Sequence, residues 1–380
     1  MNNRKISILI FSWNTGGVRI ADSLNIKDIL EWNNNKYISY LTDCKIPDFF
    51  DELVKIIKKN DYDLVVIGFQ EDVKPGSYFH SHFLPNEMIK YGYKFLARNK
   101  LIGVGMTTYS AIFEASIKFR GLRLSIYVKN NLYYPIMEET KKFEVINGSM
   151  TKSFVINPIT RAKGAVALYI SIPTIGTIAF INEHLPFESK SLIDSMLKQN
   201  YMLRQNSVNY QNNSFNNIYE NLILNLNKLP DYVIVMGDLN YRTKNTKEVP
   251  YDNQEMTKEE VLHYFYQNYD ELYDQMNKNN IYQLDEGVDN TGPLFEPTAK
   301  LNRGRTPDEK YYKRGKYNQR IPSWCDRILY KQLNTNNNQT LKCELYQLFD
   351  HGKTMAGSDH AGVVAAFSIE KLGNSILPNL

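Results

Sequence analysis

The sequence predicts an α/β fold, a four-layer α/β/β/α sandwich of two mixed β-sheets flanked by helices. Two observations predict it. Short apolar runs typical of buried strands come in pairs, as at 163–172 and 176–184, and do not alternate strictly with helices. Stretches with helical periodicity, the clearest at 47–60, stand between these pairs. Two packed sheets with helices outside account for both patterns.

The first elements are expected in a simple order. A core strand occupies 6–13, and an Asn-rich insertion follows at about 20–46. The helix at 47–60 is amphipathic, with one apolar face made by Phe49, Phe50, Leu53, Ile56 and Ile57. The run 62–70 is a nearly continuous apolar strand, and a loop follows at 75–85.

The later elements complete the domain. Two strands are expected to meet at a turn at Arg120–Gly121. A loop at 210–217, in a second Asn-rich insertion at about 206–217, is expected to separate two helical stretches, 188–205 and 216–228. Beyond it we expect a strand at 232–236, followed by a polar helix-loop region up to about 290. The two closing strands are expected at 324–330 and 363–369.

Composition sets broad limits on the class of protein. Because the motifs run from residue 13 to residue 360, one catalytic domain is expected over 1–372, followed by a tail at 373–380. The net charge of +4 argues only weakly for an anionic partner. Three cysteines without metal or disulfide spacing favour a reducing compartment, the cytoplasm. The first apolar run is too short for a signal peptide or a membrane span.

Polar residues follow several of the predicted strands. Side chains that follow buried strands emerge together at one edge of a sheet. The residues at these positions are rich in oxygen ligands and include an imidazole, a set suited to a hard divalent cation and a phosphate: Asn14, Glu71, Asp238, Asn240, Asp326, Asp359 and His360. Each of them also has an ordinary structural interpretation, since Asp, Asn and Gly are common turn residues and a strand-end Glu is usually solvated.

Two motifs predict specific geometry. In "GDLN", Gly237 lets the chain bend, so that Asp238 and Asn240 project on the same side and can position a water. In "GSDH", the adjacent residues Asp359 and His360 face opposite ways on an extended segment. The histidine therefore needs a carboxylate from elsewhere, and Asp326 is the natural candidate.

Two further features leave alternatives open. His184 ends a strand in "NEHLP", where it is either a capping or core histidine or a contact to the scissile phosphate. The segment 300–320 carries eight basic residues and two acidic ones. It is either a solvated loop or, because it stands directly before "PSWCDR", a patch that binds substrate phosphates.

These motifs resemble those of the inositol polyphosphate 5-phosphatases, members of the metal-dependent endonuclease/exonuclease/phosphatase superfamily, whose fold is DNase I-like. The resemblance covers about 6–369 and rests on eight motifs in family order: "WNTGG", "GFQED", "AKGAVAL", "NEHLP", "GDLNYR", "FEPTAKLN", "PSWCDRIL" and "GSDH". "GDLNYR" and "PSWCDRIL" are the most specific of these. The family pattern differs at Ala162, Asn318 and Ala361–Gly362, positions that bear on substrate preference and not on catalytic groups.

The resemblance implies a role for each matching residue. It implies Mg²⁺ ligands at Glu71, Asn14 and Asp359. It implies catalytic roles for five residues: Asp238 and Asn240, which position water, and His184, His360 and Asp326, which act on the phosphate. It implies substrate-phosphate contacts at Lys163, Lys300, Arg320 and Lys316.

The expected function is Mg²⁺-dependent hydrolysis of the 5-phosphate of phosphoinositides or soluble inositol polyphosphates, by a monomer without a nucleic-acid partner. The alternatives are a superfamily nuclease or other phosphodiesterase, and a catalytically weak phosphoinositide-binding protein. Transient contact with a membrane surface is expected through the loop 75–85, whose apolar residues are Tyr78, Phe79, Phe83 and Leu84. The alternative is that these aromatics fold back onto the core.

Overall fold

The computed structural model describes residues 5–17, 48–73, 83–105, 118–156, 163–187, 200–244, 257–303, 322–335 and 338–371. These ranges contain twelve strands: β1 Ile6–Asn14, β2 Leu64–Val73, β3 Tyr93–Gly105, β4 Lys118–Lys129, β5 Thr151–Val155, β6 Gly164–Ile172, β7 Gly176–His184, β8 Tyr232–Asp238, β9 Asp285–Glu286, β10 Asp326–Gln332, β11 Gln339–Phe349 and β12 Gly362–Lys371. The same ranges contain seven α-helices: α1 Asp48–Asn60, α2 Leu84–Lys90, α3 Asn130–Asn147, α4 Asn200–Tyr219, α5 Lys258–Tyr269, α6 Glu271–Asn277 and α7 Gly352–Ala356.

The strands form two six-stranded sheets. The first has the order β11-β12-β1-β2-β4-β3, and the second has the order β5-β6-β7-β8-β10-β9. Each sheet contains one parallel pair, β1 with β2 and β7 with β8, among antiparallel neighbours. Both sheets are therefore mixed, as predicted.

Three apolar clusters show how the layers pack. The inner faces of both sheets meet in one cluster, to which Ile8 and Val66 of the first sheet and Phe180 and Ile234 of the second contribute. A second cluster joins the outer face of the first sheet to α1 and α2, and a third joins the outer face of the second sheet to α4 and α6. The four-layer α/β/β/α sandwich predicted from the sequence is confirmed.

Two local predictions were wrong. Arg120 and Gly121 lie inside β4, whose antiparallel partner is β3, so the chain does not turn there. The Asn-rich stretch at 210–217 is not a loop but part of α4, which continues into a short π-helix at Glu220–Leu224. Phe215 and Ile218 bury this face of the helix against the second sheet, and that packing outweighs the low helix propensity of asparagine. The predicted insertion at 20–46 and the tail at 373–380 lie outside the described residues.

Strand register gathers the predicted site residues at one edge. In the second sheet His184 of β7 stands opposite Asp238 of β8, which in turn stands opposite Asp326 of β10. In the first sheet Asn14 of β1 stands opposite Gln70 of β2. Parallel neighbours end on the same side of their own sheet. The hydrogen bond from Asn14 to Asp238 shows that these edges of the two sheets meet at the same end of the sandwich.

Candidate active site

A row of three side chains forms the floor of the site: His184, Asp238 and Asp326 on neighbouring strands. All three are buried. Gly237 allows the row to form, because a Cβ atom at this position would lie 2.0 Å from the carbonyl oxygen of Glu183 on β7. Besides bending the chain as predicted, with φ at +136°, this glycine permits a close approach of two strands.

The predicted pairing of His360 with Asp326 is present. The Nδ1 atom of His360 lies 2.8 Å from Oδ2 of Asp326, and both side chains are buried. The Thr298 hydroxyl accepts hydrogen bonds from the backbone N–H groups of Cys325 and Asp326, which fixes the strand start that carries this carboxylate.

Asp238 also contacts a second group of side chains. The Asn14 Nδ2 atom donates to Asp238 Oδ2 over 2.7 Å. The Nε2 atom of His184 lies 3.3 Å from the same oxygen and 3.9 Å from Oε1 of Glu71. Glu71 has a left-handed backbone, with φ at +51°, and lies in a β-bulge between Phe69 and Asp72, which is how its side chain reaches this position.

Asn240 does not simply project beside Asp238. Its backbone N–H donates to Asp238 Oδ1 over 3.1 Å, and its Nδ2 donates to the carbonyl of Leu185. Its Oδ1 accepts from Arg242 Nη2 over 2.9 Å, while the Arg242 guanidinium stacks over the ring of Phe187. The backbone of Asn240 thus holds the Asp238 carboxylate in place, and the hydrogen bonds to Leu185 and Arg242 fix the orientation of the Asn240 side-chain amide.

Two of the predicted substrate-binding residues, both lysines, enter the site. The Lys163 ammonium contacts Nε2 of His184. Lys300 Nζ lies 2.5 Å from Asp359 Oδ2 and 3.3 Å from His360 Nε2. Lys163 and Lys300 therefore stand beside the histidines themselves. Arg320 and Lys316 lie outside the described residues.

Arg303 is a site residue that the sequence analysis did not single out. Its Nη2 donates to Asp359 Oδ1 over 3.2 Å and to the carbonyl of Gly16 over 2.9 Å, and its Nη1 donates to the carbonyl of Gly357. The only signal in the sequence was its membership of the basic run at 300–320. Ser358, in the "GSDH" motif, was also missed; its hydroxyl donates to the carbonyl of Asn14 and accepts from the backbone N–H of His360.

The pKa values of the central groups are shifted in a consistent way. Burial opposes ionisation of Asp238, but the charge of His360 and the close contact with His184 outweigh it and hold the pKa well below its usual value. Burial also opposes protonation of His360, but Asp326 outweighs it and raises the pKa of the imidazole. Burial and the neighbouring Lys163 lower the pKa of His184. The shifts therefore favour the anion of Asp238, the protonated form of His360 and the neutral form of His184.

The candidate metal ligands form two sets, and both sets lie around Asp238. Ligand atoms of Asp238, Asp326 and His360 lie within 4.8 Å of one another, a spacing that could hold a divalent ion. The predicted set differs: Glu71 and Asn14 lie beside Asp238, whereas Asp359 is paired with Lys300 and Arg303. The residues fit a hard cation, because carboxylates converge here and Oδ1 of Asp326 is buried without a hydrogen-bond partner among the described residues.

Two of the four predicted membrane-contact residues are instead part of the core. Phe83 and Leu84 are 9% and 1% exposed and pack in the cluster between the first sheet and its outer helices. The Phe83 ring makes an edge contact with Phe50 of α1. For these two residues the prediction of membrane contact was wrong, because α1 covers them. Tyr78 and Phe79 lie outside the described residues. Among the described helices, none is long and apolar enough to cross a membrane.

The comparisons with known proteins agree with this geometry. The family model for Endonuclease/Exonuclease/phosphatase family 2 matches residues 11–366. The chain belongs to this family. A family member to which it is similar is the type IV inositol polyphosphate 5-phosphatase 11 of Arabidopsis thaliana, with 24% identity over 338 residues, 89% of this chain and 80% of that protein. The type II inositol polyphosphate 5-phosphatase 15 of the same plant is 29% identical over 145 residues, 37% of this chain and 12% of that protein.

Solved structures extend the comparison to the fold. The inositol polyphosphate 5-phosphatase domain of SpSynaptojanin, in complex with inositol (1,4)-bisphosphate and a calcium ion, superposes with a TM-score of 0.58 at 20% identity, over 98% of this chain and 87% of that one. A Cimex nitrophorin, as a ferrous NO complex, superposes with a TM-score of 0.55 at 16% identity, over 96% of this chain and 99% of that one. A 5-phosphatase domain and a nitrophorin share this fold, so the fold alone does not give the activity of the present protein, which has to be argued from its site. The predicted resemblance to the 5-phosphatases is confirmed.

Proposed function

We propose that this family member is a Mg²⁺-dependent phosphatase that removes the 5-phosphate from inositol polyphosphates or phosphoinositides. One observation carries the proposal. Asp238 lies between two groups of side chains, with Asn14, His184 and Glu71 on one side and the Asp326–His360 pair on the other. Carboxylates, imidazoles and amides converging on one point are the groups that phosphoester hydrolysis requires.

Each group has a task in the proposed reaction. Water adds to phosphorus, the bond from phosphorus to the inositol oxygen breaks, and the products are the inositol alcohol and inorganic phosphate. Asp238, ionised at neutral pH, accepts a hydrogen bond from the attacking water and orients it. His360, held protonated by Asp326, donates to a phosphoryl oxygen as negative charge develops there.

The lysines and the metal ligands support charge on the phosphate. Lys163 beside His184 and Lys300 beside His360 place one ammonium on each side of Asp238. Glu71 and Asn14 are the residues that would hold the cation, with the Asp238, Asp326 and His360 cluster as the alternative. A bound Mg²⁺ would supply a Lewis acid that neutralises phosphoryl oxygens.

The choice of an inositol phosphate over a nucleic acid rests on two supports. Three of the four similar proteins named above are inositol polyphosphate 5-phosphatases, one of them in complex with an inositol bisphosphate. Arg303 joins Lys163 and Lys300 in a compact basic group around the site. A compact group of cations suits a small, multiply phosphorylated ring, whereas a nuclease needs a longer basic groove.

A phosphate-release panel tests the proposal. The purified chain would be assayed with Mg²⁺ and with EDTA against soluble inositol polyphosphates, phosphoinositides in vesicles and duplex DNA. We expect release from at least one inositol substrate carrying a 5-phosphate, none from its counterpart lacking that phosphate, and loss of release with EDTA. Cleavage of DNA with no release from inositol phosphates would support the nuclease alternative. No release from any substrate, with retained vesicle binding, would support the phosphoinositide-binding alternative.

A further inference from the structure

One buried amide connects the two sheets directly behind the site. Asn182 is fully buried on β7, on the inner face of the second sheet. Its Nδ2 donates to the carbonyls of Phe69 and Arg123 over 3.0 Å and 2.7 Å, and its Oδ1 accepts from Gln70 Nε2 over 2.6 Å. All three partners belong to β2 and β4 of the first sheet. The amide therefore makes three hydrogen bonds across the gap between the sheets.

This amide stands in surroundings that otherwise favour apolar side chains. Phe180, two residues earlier on the same face of β7, and Met236, opposite Asn182 on β8, both belong to the inner apolar cluster. Burying an amide there is unfavourable unless its hydrogen bonds are satisfied. Gly68 leaves the space it needs, because a Cβ atom there would lie 3.2 Å from Asn182 Cγ and 2.9 Å from Met236 Sδ.

The position of the bridge relates it to the site. Phe69 and Arg123 are the last regular β2–β4 pair before the bulge that turns Glu71 toward His184. Asn182 donates to the carbonyls of both members of that pair, and Gln70, its third partner, directly precedes Glu71. At its other end the bridge lies two residues before His184 on β7. Through these hydrogen bonds the amide links the segment of β2 that carries Glu71 to the segment of β7 that carries His184.

We propose that Asn182 is a positioning residue that sets the separation between Glu71 and the His184–Asp238 pair. It does not touch the reacting atoms; it holds the bulge of β2 against the end of β7. Removing the bridge would let the sheets shift relative to each other at the site edge, and displacements of about 1 Å can cost on the order of 100-fold in rate. The inference rests on the proposed function of this site.

The test compares two substitutions on the same face of β7. Asn182→Leu removes the bridge while keeping the number and branching of the side-chain heavy atoms, whereas Phe180→Leu weakens the same core farther from the site. Both should be less stable than wild type. Of these two variants, only Asn182→Leu should lower kcat, by about 10- to 100-fold. It should also raise the Mg²⁺ concentration at half-maximal rate. Gln70→Met removes one of the three hydrogen bonds and should give the same changes in milder form, which keeps the test available if Asn182→Leu fails to fold.

A second measurement does not depend on activity. Amide hydrogen exchange of the metal-free protein should be faster at residues 70–73 in Asn182→Leu and Gln70→Met than in Phe180→Leu. Equal exchange, kcat and Mg²⁺ dependence in the three variants would show that Asn182 only stabilises the core, and would overturn the inference. If the wild-type protein released no phosphate from any inositol phosphate, the proposed function would fail, and hydrogen exchange would still decide whether Asn182 holds the bulge.

Discussion

The Nδ1 atom of His360 lies 2.8 Å from Oδ2 of Asp326, although 34 positions of sequence separate the two residues. Asp326 begins β10 of the second sheet, whereas His360 lies two residues before β12 of the first. The hydrogen bond therefore joins the two sheets at the site edge. The Asn182 bridge joins the same two sheets two residues before His184 on β7. Burial opposes protonation of His360, but the Asp326 carboxylate outweighs it and raises the pKa. The pair thus favours a protonated imidazole close to Asp238.

Asp326→Asn should separate orientation from charge in this pair. The amide can still accept from the imidazole, but it no longer stabilises the protonated ring, so the pKa of His360 should fall. We expect kcat to fall by about 10²- to 10⁴-fold, and the loss of activity on the alkaline side to begin at lower pH than in wild type. The pH profiles of kcat and of kcat/KM measure the two effects.

The control for this substitution is Asp285→Asn, which neutralises a part-exposed carboxylate on the strand beside β10, outside the site. It should leave the profile unchanged. An Asp326→Asn profile with the wild-type alkaline limb and a rate within threefold of wild type would contradict a protonated His360 in the reaction.

Glu71→Gln should raise the Mg²⁺ requirement. The Glu71 carboxylate lies beside His184 and Asp238 but outside the Asp238, Asp326 and His360 cluster. If it is a ligand, replacing its charge with an amide weakens a hard cation's attachment. The measurement is a Mg²⁺ titration of phosphate release, with Glu52→Gln on α1 as the control. An unmoved titration curve would assign the metal to the cluster without Glu71.

Lys300→Met should slow all substrates to the same extent. Its Nζ lies 3.3 Å from His360 Nε2, so we expect it to act at the reacting phosphate and not at a neighbouring ring position. A hydrogen bond to a charged group contributes about 1.5–3 kcal/mol, which predicts a loss of kcat/KM of roughly 10- to 100-fold. Substrates with and without a 4-phosphate are compared, with Lys258→Met, an exposed lysine, as control. A loss confined to the 4-phosphate substrate would place Lys300 at that phosphate instead.

Strand ends were the part of the site that the sequence could predict. Asp238 and Asp326 follow or begin apolar runs, so their gathering at one edge follows from strand polarity alone. The pairing of Asp326 with His360 was predictable because Asp359 and His360 alternate across an extended segment and one of them needs an outside partner. These inferences use only local periodicity, and periodicity is what a sequence displays most directly.

Tertiary packing decided what the sequence did not predict. The sequence predicts Phe83 and Leu84 as loop residues, but both are buried in the same cluster as Phe50, more than thirty positions earlier, whose ring contacts Phe83. The asparagines of α4 predict a loop, yet Phe215 and Ile218 bind the helix to the second sheet. Arg303 has no local feature that separates it from other basic residues of its run. In each case the deciding contact lies far away in sequence, where local propensity carries no information.

Arg327→Met should be strongly destabilising. The guanidinium is fully buried and pairs with Glu286 over 2.5 Å and Asp270 over 3.0 Å. Removing it leaves two buried carboxylates without their partner, a loss of about 3–5 kcal/mol. Urea denaturation gives the free energy of unfolding.

A triple variant gives the control for the Arg327 substitution. Arg327→Met together with Glu286→Gln and Asp270→Asn should recover part of the lost stability, because it buries no unpaired charge. By comparison Lys258→Met, which breaks an exposed pair with Glu296, should change stability by less than about 1 kcal/mol. If Arg327→Met were as mild as Lys258→Met, the buried pairs would contribute little.

The buried carboxyl group of Glu183 should make the free energy of unfolding depend on pH. It is fully buried on the outer face of β7, and neither carboxylate oxygen has a hydrogen-bond partner among the described residues. Burial raises its pKa from 4.5 to about 8. The folded state therefore binds this proton more tightly than the unfolded state does. The stabilisation by this proton is complete below about pH 4.5 and is lost as the pH rises through about 8. The free energy of unfolding falls by up to about 1.4 kcal/mol per pH unit over this range.

Glu183→Gln removes this ionisation while keeping the side-chain volume. Urea denaturation at pH 5, 7 and 9 should show the variant gaining on wild type as the pH rises, with the largest difference at pH 9. Glu259→Gln, at an exposed position on α5, should run parallel to wild type throughout and serves as the control. A constant difference between Glu183→Gln and wild type at all three pH values would mean that Glu183 does not take up a proton on folding, and that the buried carboxylate is stabilised as an anion.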